Sequence, residues 1–354
     1  MKHTLLILGA GLLVFATSCS NDKDEDIRFT KSSIAFTASV PYAQKDRSVI
    51  TTENIREFTV YGYVGNELYM DALNVTRTGS GWTYSPTYYW PEGASVDFYS
   101  YSPAGVANMG TLLTANGDFR IENYVNNGKT DFIYAVNKGE RADNASGTAR
   151  QVKVNFRHAL AKVAVQFTKR ANTGNFKFYV RNVRLVNALS QGNFKFPNKT
   201  TSADLRDDDN TGDWSDLSSF SGASLNETLV GPVTAQSAPV AANSTGYMFV
   251  IPQDITEYNA NVPNSGGIYL EIECQFQNAE SDHIIWPTSS VTGQTADGFA
   301  NIRIPVRKHD NDEWDSGHSY VYTISLDVPE EGSTKITFDV TVDNYEDYGN
   351  TLPD

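Results

Sequence analysis

Strict alternation of apolar and polar residues most limits what this chain can fold into. Ile268, Leu270, Ile272, Cys274 and Phe276 fall on one side of an extended segment, opposite Tyr269, Glu271, Glu273, Gln275 and Gln277. Tyr320, Tyr322, Ile324, Leu326 and Val328 repeat the pattern, and so do Ile336, Phe338, Val340 and Val342. A period of two puts successive side chains on opposite faces of a strand, and antiparallel sheets with one packed face and one wet face show it. Ala161, Val163, Val165 and Phe167 alternate in the same way with Lys162, Ala164, Gln166 and Thr168. Leu160, Val163, Ala164 and Phe167 also share a helical face, but alternation elsewhere favours a strand. Further strands are expected over 33–40, 56–64, 131–136, 151–156 and 176–186. The reading is an all-β chain.

A chain of 354 residues can bury two ordinary cores. The polar stretch from Lys169 to Asn175 sets an expected boundary near 170, dividing 29–170 from 171–354. The polar span 187–243 is too long to lack structure inside a compact domain. Short strands are expected there, near 193–196 and 227–230. Asn116-Gly117 and Asn127-Gly128 read as hairpin turns. The formal charge of −14 speaks against a nucleic-acid partner, which needs a basic face.

Residues 1–18 read as a leader. Lys2 and His3 precede an apolar run, Leu5 to Phe15, that is too short to span a bilayer as a stable helix. Ala16-Thr17-Ser18-Cys19 resembles a lipobox, so Cys19 is expected to be acylated and to hold the precursor at the outer membrane. Residues 19–28 then form a polar, acidic tether. Acylation of Cys19 leaves Cys274 without a disulfide partner, and its place on an apolar face reads as a buried, inert thiol.

The chemistry of a catalytic or cofactor site is missing from the sequence. There is no phosphate-binding glycine loop, no paired cysteines and no nucleophile elbow. Asp207, Asp209 and Gly212 fit a calcium loop, but its twelfth position is Ser218 rather than glutamate. His309 and His318 flank an acidic run without forming a metal signature. No cofactor, no metal and no enzymatic activity are expected. His158 reads as capping the end of a core, with no acid close to it in sequence. The aromatic residues between Trp82 and Tyr101 read as core and tyrosine ladder. The alternative is a stacking platform built from Trp82, Trp90, Trp286 or Trp314, as in a monomeric surface glycan-binding lipoprotein.

Phe156-Arg157-His158-Ala159-Leu160-Ala161-Lys162-Val163-Ala164-Val165 resembles the central signature of the fimbrillins, the type V pilin family. Tyr88-Tyr89-Trp90-Pro91, the segment Val96–Pro103, and Trp314–Tyr322 with Gly317, Tyr320 and Tyr322 resemble further family segments, in family order. The resemblance implies two transthyretin-like β-sandwich domains with Greek-key topology. It implies a structural fimbrial subunit or fimbria-associated adhesin, exported as a lipoprotein to the cell surface. Its partners would be other fimbrial subunits and a host or bacterial surface receptor or glycan. It also implies assembly by strand exchange. An arginine-specific protease removes the first strand (Ile34, Phe36, Ala38 and Val40), and a neighbour's C-terminal strand (Ile336, Phe338, Val340 and Val342) fills the groove. Arg47, in the polar loop after the first strand, is the expected cut site ahead of Arg28 and Arg56. A subunit that keeps its lipid and first strand would instead be an anchor.

Overall fold

A computed structural model describes residues 28–40, 50–104, 111–113, 118–142, 151–170, 174–202, 211–219, 230–233, 240–242, 247–259, 261–262, 266–306, 312–327 and 338–346. Among them there are strands and no α-helix. The first third contains β1 (Phe29–Ser33), β2 (Ala35–Ser39), β3 (Glu57–Val64), β4 (Glu67–Thr78), β5 (Gly81–Thr83), β6 (Tyr89–Pro91), β7 (Val96–Ser102) and β8 (Thr111–Leu113). The middle contains β9 (Phe119–Val125), β10 (Ile133–Glu140), β11 (Gln151–Asn155), β12 (Arg157–His158), β13 (Ala161–Lys169), β14 (Phe176–Val186), β15 (Gln191–Lys195), β16 (Asp213–Ser218), β17 (Val230–Val233) and β18 (Val240–Ala241). The remainder contains β19 (Met248–Val250), β20 (Gln253–Asp254), β21 (Tyr269–Asn278), β22 (Ile284–Trp286), β23 (Ala300–Pro305), β24 (Glu313–Trp314), β25 (His318–Leu326) and β26 (Phe338–Glu346).

The C-terminal part is a two-sheet sandwich. One sheet runs β18-β13-β25-β26, with β19 also on β13; the other runs β17-β14-β21-β22, with β23 also on β21. Val163, Val165, Phe167, Tyr320, Tyr322, Ile324 and Leu326 meet Phe176, Phe178, Val180, Ile272, Cys274 and Phe276 in one core. These are the residues that alternate in the sequence, so the wet faces explain the clean pattern. The Cys274 thiol is fully enclosed there, and burial pushes its pKa well up.

The N-terminal part centres on a six-stranded sheet, β12-β10-β7-β3-β4-β5. Its middle strands are buried on both faces. On one face Phe58, Val60, Phe98, Ile133 and Ala135 join a core with Ile34, Phe36, Val152, Val154 and Phe156. On the other face Tyr61, Tyr63, Tyr99, Tyr101 and Tyr134 join Phe119, Tyr124, Phe194 and Phe196. That second core continues into Tyr247, Phe249 and Ile251. Tyr61, Tyr63, Tyr99, Tyr101 and Tyr134 are therefore interior, while Tyr89 is exposed.

Three expectations are corrected. The sheets are not purely antiparallel: β13 runs parallel to β25, from Lys162↔Ser319 to Lys169↔Leu326, and β2 runs parallel to β11. Alternation reports burial and carries no information on partner direction. Asn127-Gly128 is not a hairpin, because β9 pairs with β8 and β15 while β10 pairs with β7 and β12. Asn127 Oδ1 instead accepts the Lys129 and Thr130 amides at 2.8 and 2.9 Å, an Asx turn that sends the chain to another sheet. The expected single strand over 33–40 is two strands, since the chain changes partner at Ile34.

Among the described residues four ladders cross residue 170: β13 pairs with β18, β19 and β25, all at or after Val240, and β9 pairs with β15. The strand expected near 193–196 is β15; of the one expected near 227–230 only Val230, the first residue of β17, lies within the described residues. Asn116-Gly117 lies outside the described residues.

Phe119 lies face to face with Tyr99, centroids 4.5 Å apart, and meets Phe196 edge-on at 4.9 Å. Phe119→Ala should empty the middle of this core and cost about 3–5 kcal/mol in urea unfolding. A loss under about 1 kcal/mol would mean that the aromatic layer does not hold the two halves together.

Candidate functional site

The first strand is an inserted element with few but specific holds. Ile34, Phe36 and Val40 are 2%, 3% and 4% exposed, and Ala38 is half-buried against the same core. Burying this set contributes roughly 5–8 kcal/mol gross. Phe36 carries most of the shape. Its ring meets Phe98 at 5.5 Å, Tyr84 at 5.7 Å and Phe58 at 6.2 Å, each edge-on. Edge-to-face contacts on three sides make a cage fitted to one phenyl ring.

The backbone of this segment is held from two directions. β2 lies in parallel register on β11, from Ala35↔Gln151 to Ser39↔Asn155. β11 has no other strand partner among the described residues. The Ser39 hydroxyl donates to Asn155 Oδ1 at 3.0 Å, and the Phe156 amide donates to the Ser39 carbonyl at 2.9 Å. Across the chain, the Tyr84 hydroxyl donates to the Ile34 carbonyl, and the Ile34 amide donates to the Tyr88 carbonyl at 2.9 Å. β1 adds a short ladder to β6, with Phe29 stacked on Tyr69 at 5.5 Å.

Both ends of the 41–49 segment are tied to the body. Thr52 Oγ1 accepts the Val40 amide at 2.7 Å and donates to the Val40 carbonyl at 3.1 Å. The Ile50 amide donates to Asp131 Oδ2 at 2.9 Å. Asp131 is buried and also lies 3.0 Å from His158 Nδ1. His158 lies between Phe156 of one core and Ala159 of the other, and the partner the sequence did not reveal is Asp131, beside the β10 strand that pairs with β12.

The C-terminal strand β26 lies elsewhere, antiparallel to β25, from Phe338↔Leu326 to Glu346↔His318. Among the described residues it is paired on one side only. Val340 is buried in the C-terminal core, Phe338 is half-buried against it, and Val342 is in register with Tyr322. First strand and C-terminal strand thus occupy different sheets and different cores within one chain. Cys19, Arg47, Ile336 and His309 lie outside the described residues. Arg28 and Arg56 are held in bonded backbone: the Arg28 carbonyl accepts the Glu92 amide at 2.6 Å, and the Arg56 carbonyl accepts the Arg77 amide at 2.8 Å. Thr52, Tyr84 and Asn155 are the holding residues that sequence reasoning missed.

The tryptophans do not form an outward platform. Trp90, Trp286 and Trp314 are fully buried. Trp82 is half-buried, with Phe58 against its ring at 4.9 Å and the Arg77 guanidinium 5.9 Å above it.

These features define an all-β chain whose N-terminal strand completes a core and whose C-terminal strand stands at a sheet edge. The chain belongs to the fimbrillin-like family, whose model matches residues 46–344. Its fold is similar to that of a fimbrial protein from Bacteroides vulgatus ATCC 8482, with 14% identity, 88% of this chain and 98% of that chain covered, and a TM-score of 0.55. The tip fimbrial protein Mfa3 from Porphyromonas gingivalis, with C-terminal truncation, aligns at 11% identity over 89% of this chain and 99% of that chain, with a TM-score of 0.39. No match is found among curated proteins.

Burial pushes the Tyr84 phenol from 10.0 up to about 12. A phenol raised on folding favours the fold below pH 10, and that contribution is lost as the pH climbs from 10 through about 12. Protection of the 29–40 amides, corrected for base-catalysed intrinsic exchange, should therefore fall over that window. Tyr84→Phe should raise exchange at neutral pH, from losing one hydrogen bond of about 0.5–1.5 kcal/mol. It should also remove part of the alkaline step. An identical alkaline step in Tyr84→Phe would place the cause at another tyrosine.

Proposed function

We propose that this chain is a structural fimbrial subunit or fimbria-associated adhesin, exported as a lipoprotein through Cys19 and assembled on the cell surface by strand exchange. The observation that carries the reading is the first strand itself. It fills a shaped apolar groove and precedes a polar segment tied down at Val40 and Ile50. Removing it would strip β11 of its ladder and open the cage around Phe36. Both an unpaired edge and exposed apolar pockets are costly in water, and an added strand from another subunit relieves both.

Cutting after Arg47 releases that strand together with the acylated cysteine. Arg28 and Arg56 are poorer sites because a protease needs free extended backbone, and theirs is hydrogen-bonded. The two units expected from the sequence, 29–170 and 171–354, belong to the same proposal as transthyretin-like sandwiches, with β13 of the first bonded into the second. Buried tryptophans count against the sugar-platform alternative.

Digestion of the lipidated precursor by an arginine-specific protease, followed by N-terminal sequencing and a non-boiled detergent gel, tests the reading. One cut after Arg47 and a ladder of detergent-resistant multimers is the expected result, and Arg47→Gln should abolish both. A chain that is cut but stays monomeric would sink strand exchange. One that resists cutting and keeps its lipid would be an anchor subunit.

A further inference from the structure

Two rows of charge cross the wet face of the β14-β21-β23 ladder. Arg181, Glu273 and Asn301 form one, and Arg184, Glu271 and Arg303 form the next. Arg181 is fully engaged. Its Nε donates to Glu273 at 2.7 Å, its terminal nitrogens donate to Asp297 at 2.6 and 2.9 Å, and its guanidinium carbon lies 3.9 Å from the Phe299 ring centre. Arg184 donates only to Glu271 among the described residues, and Arg303 makes two long bonds of 3.4 Å, to Glu271 and to the Tyr258 hydroxyl. The Arg184 and Arg303 side chains are 55% and 52% exposed, against 24% for Arg181. We propose that the row Arg184-Glu271-Arg303, with Tyr258 beside it, is a docking surface for a polyuronate, a saccharide chain with a carboxylate on successive rings. This rests on the adhesin arm of the reading above and gives it a site and a ligand class.

Charge selects the partner. Glu271 is 12% exposed and gives one oxygen to each arginine, so it holds both in place while neutralising only one of them. The row keeps one positive charge on a chain whose formal charge is −14. A guanidinium carries its N–H donors in a planar fork that fits a carboxylate. Most of those donors on Arg184 and Arg303 have no protein partner among the described residues. The two arginines stand on strands two ladders apart, about 10 Å at roughly 4.8 Å per ladder. A chain with repeated carboxylates, crossing the strands, meets both.

Position and neighbours favour a saccharide over an acidic peptide. β21 is paired on both sides, to β14 and to β23, so the row lies on a sheet face and offers an extended peptide no unpaired backbone from β21. Beside it the Tyr258 ring leans on Tyr269, centroids 4.5 Å apart, and the Arg303 guanidinium lies 5.1 Å from the Tyr269 ring. Tyr269 is buried and Tyr258 is half-buried, so the accessible aromatic surface of this pair is that of Tyr258. An aromatic ring beside a few fixed polar groups is the make-up of a small-ligand site. A uronate ring supplies C–H groups to the tyrosine and a carboxylate to the guanidiniums. The buried tryptophans do not bear on this surface, which uses tyrosine and arginine.

Calorimetric titration of the undigested full chain with oligogalacturonate, at low and high salt, tests the proposal. The methyl ester of the same oligosaccharide, which lacks the charge, is the control. The acid form should bind, more weakly as salt rises and more tightly as a hexamer than as a single galacturonate, and the ester should not. Arg184→Gln and Arg303→Gln should each lower affinity by about tenfold, the loss of one charge-assisted contact. Arg303→Lys keeps the charge but not the fork, and should fall between Arg303→Gln and the parent chain. Asn301 is exposed two residues from Arg303 on the same face, so Asn301→Asp should weaken binding without touching either arginine. No binding, equal binding of the ester or of oligoglutamate, or binding unchanged in all of these variants would overturn the site. Multimer formation after digestion is read separately. Multimers without saccharide binding would leave the subunit reading standing and this surface refuted; saccharide binding without multimers would do the reverse.

Discussion

Burial of β3, β7 and β10 on both faces is the constraint on which the rest of the molecule depends. A strand with one wet face needs one core. These strands need two, and the chain supplies them from distant places. The first strand and β11 close one side. β9, β15 and the segment through Tyr247 and Ile251 close the other. The groove is therefore the missing wall of an interior that already exists, and its pockets are set by residues packed from behind by the tyrosine layer.

That arrangement gives the first strand a close fit from a small number of contacts. Its specificity lies in a few side chains, above all Phe36, and its backbone contributes a single ladder to β11 with a few additional hydrogen bonds. No other element threads over it among the contacts described. A strand bonded on both edges would be harder to exchange, and one without a cage would accept any apolar partner.

Legibility from sequence followed solvent exposure. β13, β14, β21 and β25 were readable nearly to the residue because each has a wet face, so polar residues mark every second position. β3 was readable as a strand and the aromatics of β7 as core, but nothing in their spacing said that Tyr61, Tyr63, Tyr99 and Tyr101 face a second core. Partner direction was hidden in β2 and β13, because period two is the same in parallel and antiparallel sheets. The holds on the first strand were hidden for another reason. Thr52, Tyr84 and Asp131 act on backbone groups 12, 50 and 81 residues away, and a hydroxyl or carboxylate looks the same whether it faces water or a distant amide. The sequence showed no acid near His158, and its partner Asp131 could come only from the fold.

The parallel ladders also bear on how the chain reaches its fold. Ser39 and Asn155 are 116 residues apart, and Gln166 and Thr323, which hydrogen-bond across the other parallel pair, are 157 apart. Loop closure over such separations precedes any reward from contact, so these pairings are intrinsically slow. A chain emerging from its N-terminus exposes Ile34, Phe36 and Val40 long before β11 exists to receive them. The apolar segment that completes the N-terminal core is thus made first and docked late. Until it docks, Phe58, Phe98 and Val154 lack the apolar cover that Ile34, Phe36 and Val40 give them in the finished core.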